Sequence, residues 1–212
     1  MARDPRTINS YGRPRPRFKA QPRVLVICED SKSALIYLRE AARYYRADLQ
    51  VEVTHCGRTD PQGIVSEAVR HARNYDHVYC AIDRDDHPLF AAAEQLAREH
   101  QAKVTMKASF PCYEFWLLLH FRKVRRPYIK TAKHSAGDLA CRDLCAEAGM
   151  LNYAKGDPKG LFLSLLPRLD DARRRAVEVL TEANADGNPN PSTRLHELLE
   201  EFQKLGTPSL AT

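Results

Sequence analysis

Carboxylates follow two apolar runs of the sequence, and their type and spacing suit the binding of a divalent metal ion. The run Val24–Cys28 ends in Glu29, and the run His77–Ile82 ends in Asp83 and Asp85. Side chains two apart in an extended chain point the same way, so the two aspartates can approach one ion. Mg²⁺ prefers hard oxygen ligands and is usually held by a small number of carboxylates together with substrate phosphates. Such an ion would neutralise charge on a phosphate and activate a water.

The segments that must position these carboxylates alternate between strand-like and helix-like patterns. This βαβαβαβ order over residues 23–121 predicts an α/β fold, with a sheet of about four mainly parallel strands flanked by helices. If the first and third strands are neighbours, Glu29 and Asp83 meet at the carboxyl edge, where open α/β sheets bind ligands. The expected strands are Val24–Cys28, Leu49–His55, His77–Ile82 and Lys103–Met106.

The pattern becomes helical after the fourth strand. Residues 111–121 are apolar all round, which predicts a buried helix that begins at Pro111 and has Glu114 in its first turn. Further helices are expected at about Ala136–Ala148, Lys159–Ala183 and Ser192–Leu205. We therefore expect a flexible Pro/Arg-rich tail (1–22), an α/β domain (23–121), and a basic loop with an α-helical C-terminal extension packed on it (122–212), the last two forming one compact unit.

The net charge of +6 is located mainly in the tail. Residues 1–23 hold seven Lys or Arg and one acid, which leaves 26 bases and 26 acids in the rest. The tail is therefore either an arm that lies on nucleic-acid phosphates or a solvated extension. A second basic run, residues 122–133, is either a phosphate track beside the metal site or a loop that pairs with acids elsewhere. Its six bases are Arg122, Lys123, Arg125, Arg126, Lys130 and Lys133.

Composition predicts a cytoplasmic protein that does not enter a membrane. The chain is 43% hydrophobic and 28% charged, with no apolar stretch as long as a membrane span and no apolar segment at its N-terminus. Its six cysteines are scattered, as in compartments where thiols stay reduced. Cys141 and Cys145 lie four apart with His134 upstream, but a zinc site lacks a fourth ligand at suitable spacing, so we interpret them as buried thiols.

Several motifs together resemble a known family. Glu29 after the first strand, with Asp83-x-Asp85 after the third, resembles the Toprim domain of topoisomerases, primases and OLD-type nucleases. More narrowly, the chain resembles the RloB-like proteins, also called AbiLii in abortive-infection systems. The matching pieces are Val26-Ile27-Cys28-Glu29, Ile82–His87, the block 111–121 and the segment Asn190–Arg194.

The resemblance implies a Toprim-like sheet, a nuclease that depends on Mg²⁺ (or Mn²⁺) and acts on RNA, tRNA included, or on DNA, and a role in phage defence. It also implies an AAA/ABC-like partner ATPase encoded nearby. Carried over by position, Glu29 is the general acid/base or metal-associated carboxylate, Asp83 and Asp85 are metal ligands, and Glu114 is a further catalytic acid. Many Toprim sequences have glycine where this chain has Asp30, which would repel a phosphate or serve as a cap. Asp30 or Ser31 is expected to cap the first helix, and Thr59 or Asp60 the second.

Two other functions remain open from the residues. A catalytically inactive subunit would dock the ATPase through the helical C-terminal part. A receiver-like signalling domain would use Glu29 and Asp30 with Asp83 as the phosphoacceptor, and would recruit Lys107 from a later strand.

Overall fold

The computed structural model describes residues 21–84, 86–154 and 159–207. Asp85 and the tail through residue 20 lie outside the described residues. Within the described ranges the strands are β1 (Val24–Cys28), β2 (Val51–Thr54), β3 (His77–Asp83), β4 (Val104–Phe110) and β5 (Ser192–Thr193). The helices are α1 (Ser33–Tyr44), α2 (Pro61–His71), α3 (Phe90–Glu99), α4 (Tyr113–Leu118), α5 (Ala136–Cys145), α6 (Leu161–Leu165), α7 (Leu169–Asp186) and α8 (Leu195–Leu205), with a 3₁₀ turn at Leu166–Arg168.

The five strands form one sheet in the order β2-β1-β3-β4-β5. The first four are parallel, and β5 pairs antiparallel with the end of β4. The chain leaves β1 for β2 on one side and returns to β3 on the other. The strand order therefore reverses between β1 and β3, and in such sheets this switch point is the place where ligands bind. The predicted α/β fold class, with helices on both faces and a helical C-terminal part, is confirmed.

Strand β1 is buried on both faces, which explains its uninterrupted apolar sequence. Val24, Val26 and Cys28 belong to a large core that also contains apolar residues of α1, α4, α7 and α8. Leu25 and Ile27 belong to a smaller core formed with α2 and α3. The sheet is thus the middle layer between α2 and α3 on one side and the remaining helices on the other.

Carboxylates satisfy the backbone at the starts of α1 and α2, as the sequence predicts. The Asp30 carboxylate accepts hydrogen bonds from the backbone N–H groups of Lys32 and Ala34, both at 2.8 Å. Asp60 accepts the N–H of Gly63 at 2.6 Å. Because a helix start leaves several N–H groups without partners inside the helix, these carboxylates fix where each helix begins.

Helix α4 is the buried helix expected after Pro111, and all of its six residues are buried, including Glu114 in the first turn. No helix in the described ranges is long and apolar enough to cross a membrane.

Strand β4 is longer than predicted, and β5 was not predicted. The expected strand Lys103–Met106 ends too early, since β4 continues to Phe110. Ser192 and Thr193, expected at the start of the last helix, instead pair with the end of β4, and α8 begins at Leu195. The expected helix Lys159–Ala183 is interrupted by the 3₁₀ turn that contains Pro167, because proline has no N–H to continue a helical ladder.

Candidate active site at the carboxyl edge of the sheet

Glu29 and Asp83 lie at the switch point between β1 and β3. Asp83 is the last residue of β3, and Glu29 follows β1 directly. One carboxylate oxygen of Glu29 accepts the backbone N–H of Asp83 at 2.8 Å. The N–H of Glu29 in turn donates to the carbonyl of Ala81 at 3.0 Å, which continues the ladder between the strands. The structure therefore brings these two predicted site residues into direct contact.

The same edge continues through β4 and β5. Ser109 pairs with Asp83 on one side and with Thr193 on the other. The hydroxyl groups of Ser109 and Thr193 are 2.8 Å apart, and both residues are buried. The Ser109 carbonyl accepts the N–H of Arg84 at 2.7 Å, so β4 holds the backbone directly after Asp83. Sequence reasoning missed Ser109 and Thr193 as neighbours of the site because it ended β4 too early and did not expect β5.

A small cavity of about 10 Å³ lies at this edge. Both Glu29 and Asp83 line it, together with Lys107 and Tyr113 from the elements that follow β3. Other residues in its wall are Asp30, Ala34, Ala81, Ile82, Ser109 and Leu195. The residues around the cavity therefore include acidic, hydroxyl-bearing, basic and aromatic side chains together with apolar ones.

Lys107 is held in place by α8. Its ammonium group lies 2.6 Å from the Glu197 carboxylate, and Glu197 also pairs with Arg194 at 2.7 Å. Burial raises the pKa of the Glu197 carboxyl, but the hydrogen bond and charge of Lys107, with the charge of Arg194, outweigh it, and the pKa is lowered on balance. Glu197 is therefore ionised at neutral pH, and Lys107 reaches the wall of the cavity as one half of an ion pair.

Glu114 lies in the core and is 2% exposed. The hydroxyl of Tyr153 donates to one of its oxygens at 3.2 Å. Burial, followed by the negative charge of Glu114, raises the pKa of Tyr153, so this phenol stays protonated and acts as the donor. Glu114 is absent from the wall of the cavity that contains Glu29 and Asp83. Its catalytic role stays a prediction.

The described residues bring two of the three predicted metal ligands, Glu29 and Asp83, to the switch point. They contain no group of three or more His, Cys, Asp or Glu side chains arranged to hold a metal ion. Asp85, the third predicted ligand, lies outside the described residues. Glu29 and Asp83 nevertheless fit Mg²⁺ in their chemistry, since this ion takes carboxylate oxygens and keeps several waters.

The basic run 122–133 divides into two halves in the structure. In its first half every Arg and Lys pairs with carboxylates of α5, α7 or the turn after α5. This agrees with the interpretation of the run as a loop that pairs with acids elsewhere. These pairs are Arg122 with Asp143 and Glu147, Lys123 with Glu178 and Glu182, Arg125 with Asp186, and Arg126 with Asp143. A phosphate would have to displace those carboxylates to bind there.

The second half of the run differs. Lys130 and Lys133 are exposed, and neither side chain forms an ion pair with any residue that the structure describes. Lys130 lines a cleft of about 260 Å³ with Asp86, His87 and Pro88, the loop that follows β3. The basic run thus reaches the loop that follows β3 through Lys130, while the bases of its first half are paired with acids.

The fold and this edge define an α/β protein with a candidate site at the switch point of its sheet. A family model described as RloB-like protein matches residues 24–202. The chain therefore belongs to the RloB-like family, as its motifs predicted. No curated protein and no solved structure is significantly similar to the chain.

Proposed function

We propose that this protein is a Mg²⁺-dependent endonuclease of the Toprim type, acting on RNA or DNA as the effector of an antiphage defence system with a partner ATPase. The observation that supports it best is the contact between Glu29 and the end of β3 at the switch point. Membership of the RloB-like family supports the same proposal. The defence role and the ATPase rest on the resemblance of the sequence motifs.

Glu29 and Asp83, with Asp85 two residues further along the sequence, are the residues that would hold the metal. The bound ion would neutralise phosphate charge and lower the pKa of a coordinated water. Glu29 accepts the N–H of Asp83, and this contact supports a role in exchanging a proton with a group held at Asp83. Lys107 also lines the cavity, and a phosphate bound there would compete with Glu197 for its ammonium group.

Lys130 and Lys133 would guide the nucleic-acid backbone toward this edge. Their ammonium groups have no described acidic partner, whereas the first four bases of the run are already paired. Only Lys and Arg side chains that are free to contact phosphates displace the counterions held by the nucleic acid. This narrows the predicted phosphate track to the second half of the run, beside the loop after β3.

A receiver-like phosphoacceptor domain is a second candidate. The order of the first four strands is also that of flavodoxin-like sheets, and Lys107 lines the same cavity as Asp83. Two observations argue against a receiver-like domain. Strand β5 is antiparallel to β4, and the Lys107 ammonium group is paired with Glu197 at 2.6 Å. Incubation with a small phosphodonor distinguishes the two, because only a receiver domain would become phosphorylated on Asp83.

Cleavage of labelled RNA, tRNA and DNA in Mg²⁺ or Mn²⁺, with and without the ATPase, tests the proposed activity. We expect Glu29→Gln and Asp83→Asn to abolish cleavage. Asp76→Asn is the matched control, because Asp76 precedes the opposite end of β3 and accepts the N–H of Arg23 at 2.8 Å. Unchanged cleavage by the first two variants would show that the site is wrongly assigned. Absence of cleavage by the parent under all conditions, with ATPase binding retained, would favour an inactive subunit.

A further inference from the structure

Tyr113 carries a buried polar group that the fold does not satisfy. The residue is 3% exposed, and its hydroxyl has no hydrogen-bond partner among the described residues. A buried hydroxyl without a partner loses its bonds to water and gains none in return. Since buried polar groups are rarely left unpaired, such a group in a native fold requires an explanation.

A neighbouring tyrosine shows that burial in this cluster does not itself prevent pairing. The rings of Tyr37 and Tyr113 meet edge to face, 5.8 Å apart between centroids. Tyr37 is also fully buried, and its hydroxyl accepts a hydrogen bond from the indole N–H of Trp116 at 3.0 Å. The two side chains differ in location, because Tyr113 lines the cavity at the carboxyl edge and Tyr37 does not.

The surroundings of Tyr113 make it a hydrogen-bond donor. Burial is the largest of the effects that raise the pKa of Tyr113 well above its ordinary value. Negative charge on the neighbouring side chains acts in the same direction; these are Tyr37, Tyr153, Glu114 and Asp30. The phenol therefore stays protonated at neutral pH. The cavity volume of about 10 Å³ is close to the space that one water occupies, so it admits a single oxygen and not a whole phosphate.

We propose that Tyr113 is a further substrate-contacting residue, whose hydroxyl donates a hydrogen bond to a non-bridging oxygen of a phosphodiester held at Glu29 and Asp83. This inference rests on the proposed nuclease function and deepens it. The proton stays on the phenol throughout. A fixed neutral donor in a nearly dry cavity strengthens its bond as negative charge develops on that oxygen, which accelerates the reaction.

Tyr113→Phe and Tyr37→Phe form a matched pair that separates this role from a structural one. Tyr113→Phe removes an unpaired hydroxyl, so the melting temperature should stay equal or rise, while kcat for oligonucleotide cleavage in Mg²⁺ should fall about 10- to 100-fold. Tyr37→Phe leaves the Trp116 indole unpaired, so its melting temperature should fall by about 3–8 °C with kcat unchanged. A purely structural role for the Tyr113 hydroxyl would give the opposite pattern.

Two further measurements distinguish failure of this inference from failure of the proposed function. If Glu29→Gln abolishes cleavage and Tyr113→Phe cleaves at the parent rate, the role of Tyr113 is wrong and the nuclease function stands. If the parent does not cleave, the role of Tyr113 is tested by comparing the affinities of the parent and Tyr113→Phe for a fluorescent oligonucleotide in Ca²⁺. A three- to tenfold weaker affinity of Tyr113→Phe then supports the contact with phosphate, and an affinity equal to that of the parent overturns it.

Discussion

The pair formed by Lys107 and Glu197 should be coupled strongly, because both side chains are largely removed from water. Their side chains are 11% and 24% exposed, and the charged atoms lie 2.6 Å apart. Fully buried pairs cost about 3–5 kcal/mol when one partner is removed, and exposed pairs contribute about 0–1 kcal/mol. For this intermediate case we expect a coupling energy of about 2 kcal/mol. Removing both groups should then cost less than the sum of the single changes.

A double-mutant cycle by urea denaturation measures this coupling, using Lys107→Met, Glu197→Gln and the double variant. The exposed pair Lys204 and Glu201 on the same helix is the matched control, with side chains 68% and 33% exposed. Its coupling should stay below about 0.5 kcal/mol.

The coupling should also depend on pH. The pKa of Glu197 is lowered in the folded protein, so the stability it contributes is present above the unfolded value of about 4.3 and is lost as pH falls through the folded value. The difference in unfolding free energy between the parent and Glu197→Gln should therefore shrink between pH 5 and pH 3. A coupling equal to that of the control pair at pH 7, or a difference that grows in acid, would refute this reasoning.

Two other predictions concern acid stability and nucleic-acid binding. His120 is 1% exposed, and burial, partly offset by hydrogen bonds to the Trp116 and Leu117 carbonyls, lowers its pKa to about 4. Because the unfolded chain binds this proton near pH 6.5, the unfolding free energy should fall by about 3 kcal/mol from pH 6.5 to 4. The variant His120→Leu should lose that pH dependence. If its unfolding free energy depends on pH as steeply as that of the parent, His120 is not the group responsible. Replacing Lys130 and Lys133 with alanine should make the slope of log K against log salt for duplex DNA shallower by about 1.8, as measured by fluorescence anisotropy. The same change at the paired bases Lys123 and Arg126 should leave the slope unaltered, and equal effects of the two double variants would exclude a phosphate track confined to the second half of the run.

The strands that carry the carboxylates were predictable because β1 is buried on both faces and β3 is buried from Cys80 to Ile82. Buried strands are apolar runs, and the acids that end β1 and β3 mark where burial stops. The order of the strands could not be read from the sequence. The prediction that Glu29 and Asp83 meet therefore assumed that β1 and β3 are neighbours, and the sheet order confirms this. The helix starts at Asp30 and Asp60 were equally predictable from the sequence, because a capping side chain bonds to backbone groups of the adjacent helical turn.

The edge formed by β4 and β5 was harder to predict. A signal for the full length of β4 exists, because Val104, Met106, Ala108 and Phe110 alternate with polar residues. Following that alternation would have brought Lys107 and Ser109 to the carboxyl edge. Strand β5 has only two residues and no period, and its place is fixed by tertiary pairing with β4.

The basic run shows a different limit of sequence reasoning. Counting charges within residues 122–133 reveals six bases and no acid, but the partners lie far along the chain. Arg125 pairs with Asp186, 61 residues away, and Lys123 with Glu182, 59 residues away. The charge balance of the domain therefore does not show which Lys and Arg side chains remain free to bind a ligand; this depends on how α5 and α7 pack against the loop.

Anomalous diffraction from crystals of the protein grown with Mn²⁺ tests whether the switch point is a metal site. The proposed function predicts a Mn²⁺ peak about 2.0–2.3 Å from carboxylate oxygens of Glu29 and Asp83, and its loss in Asp83→Asn. A peak elsewhere in the molecule, with none at these two carboxylates, would contradict the proposed active site.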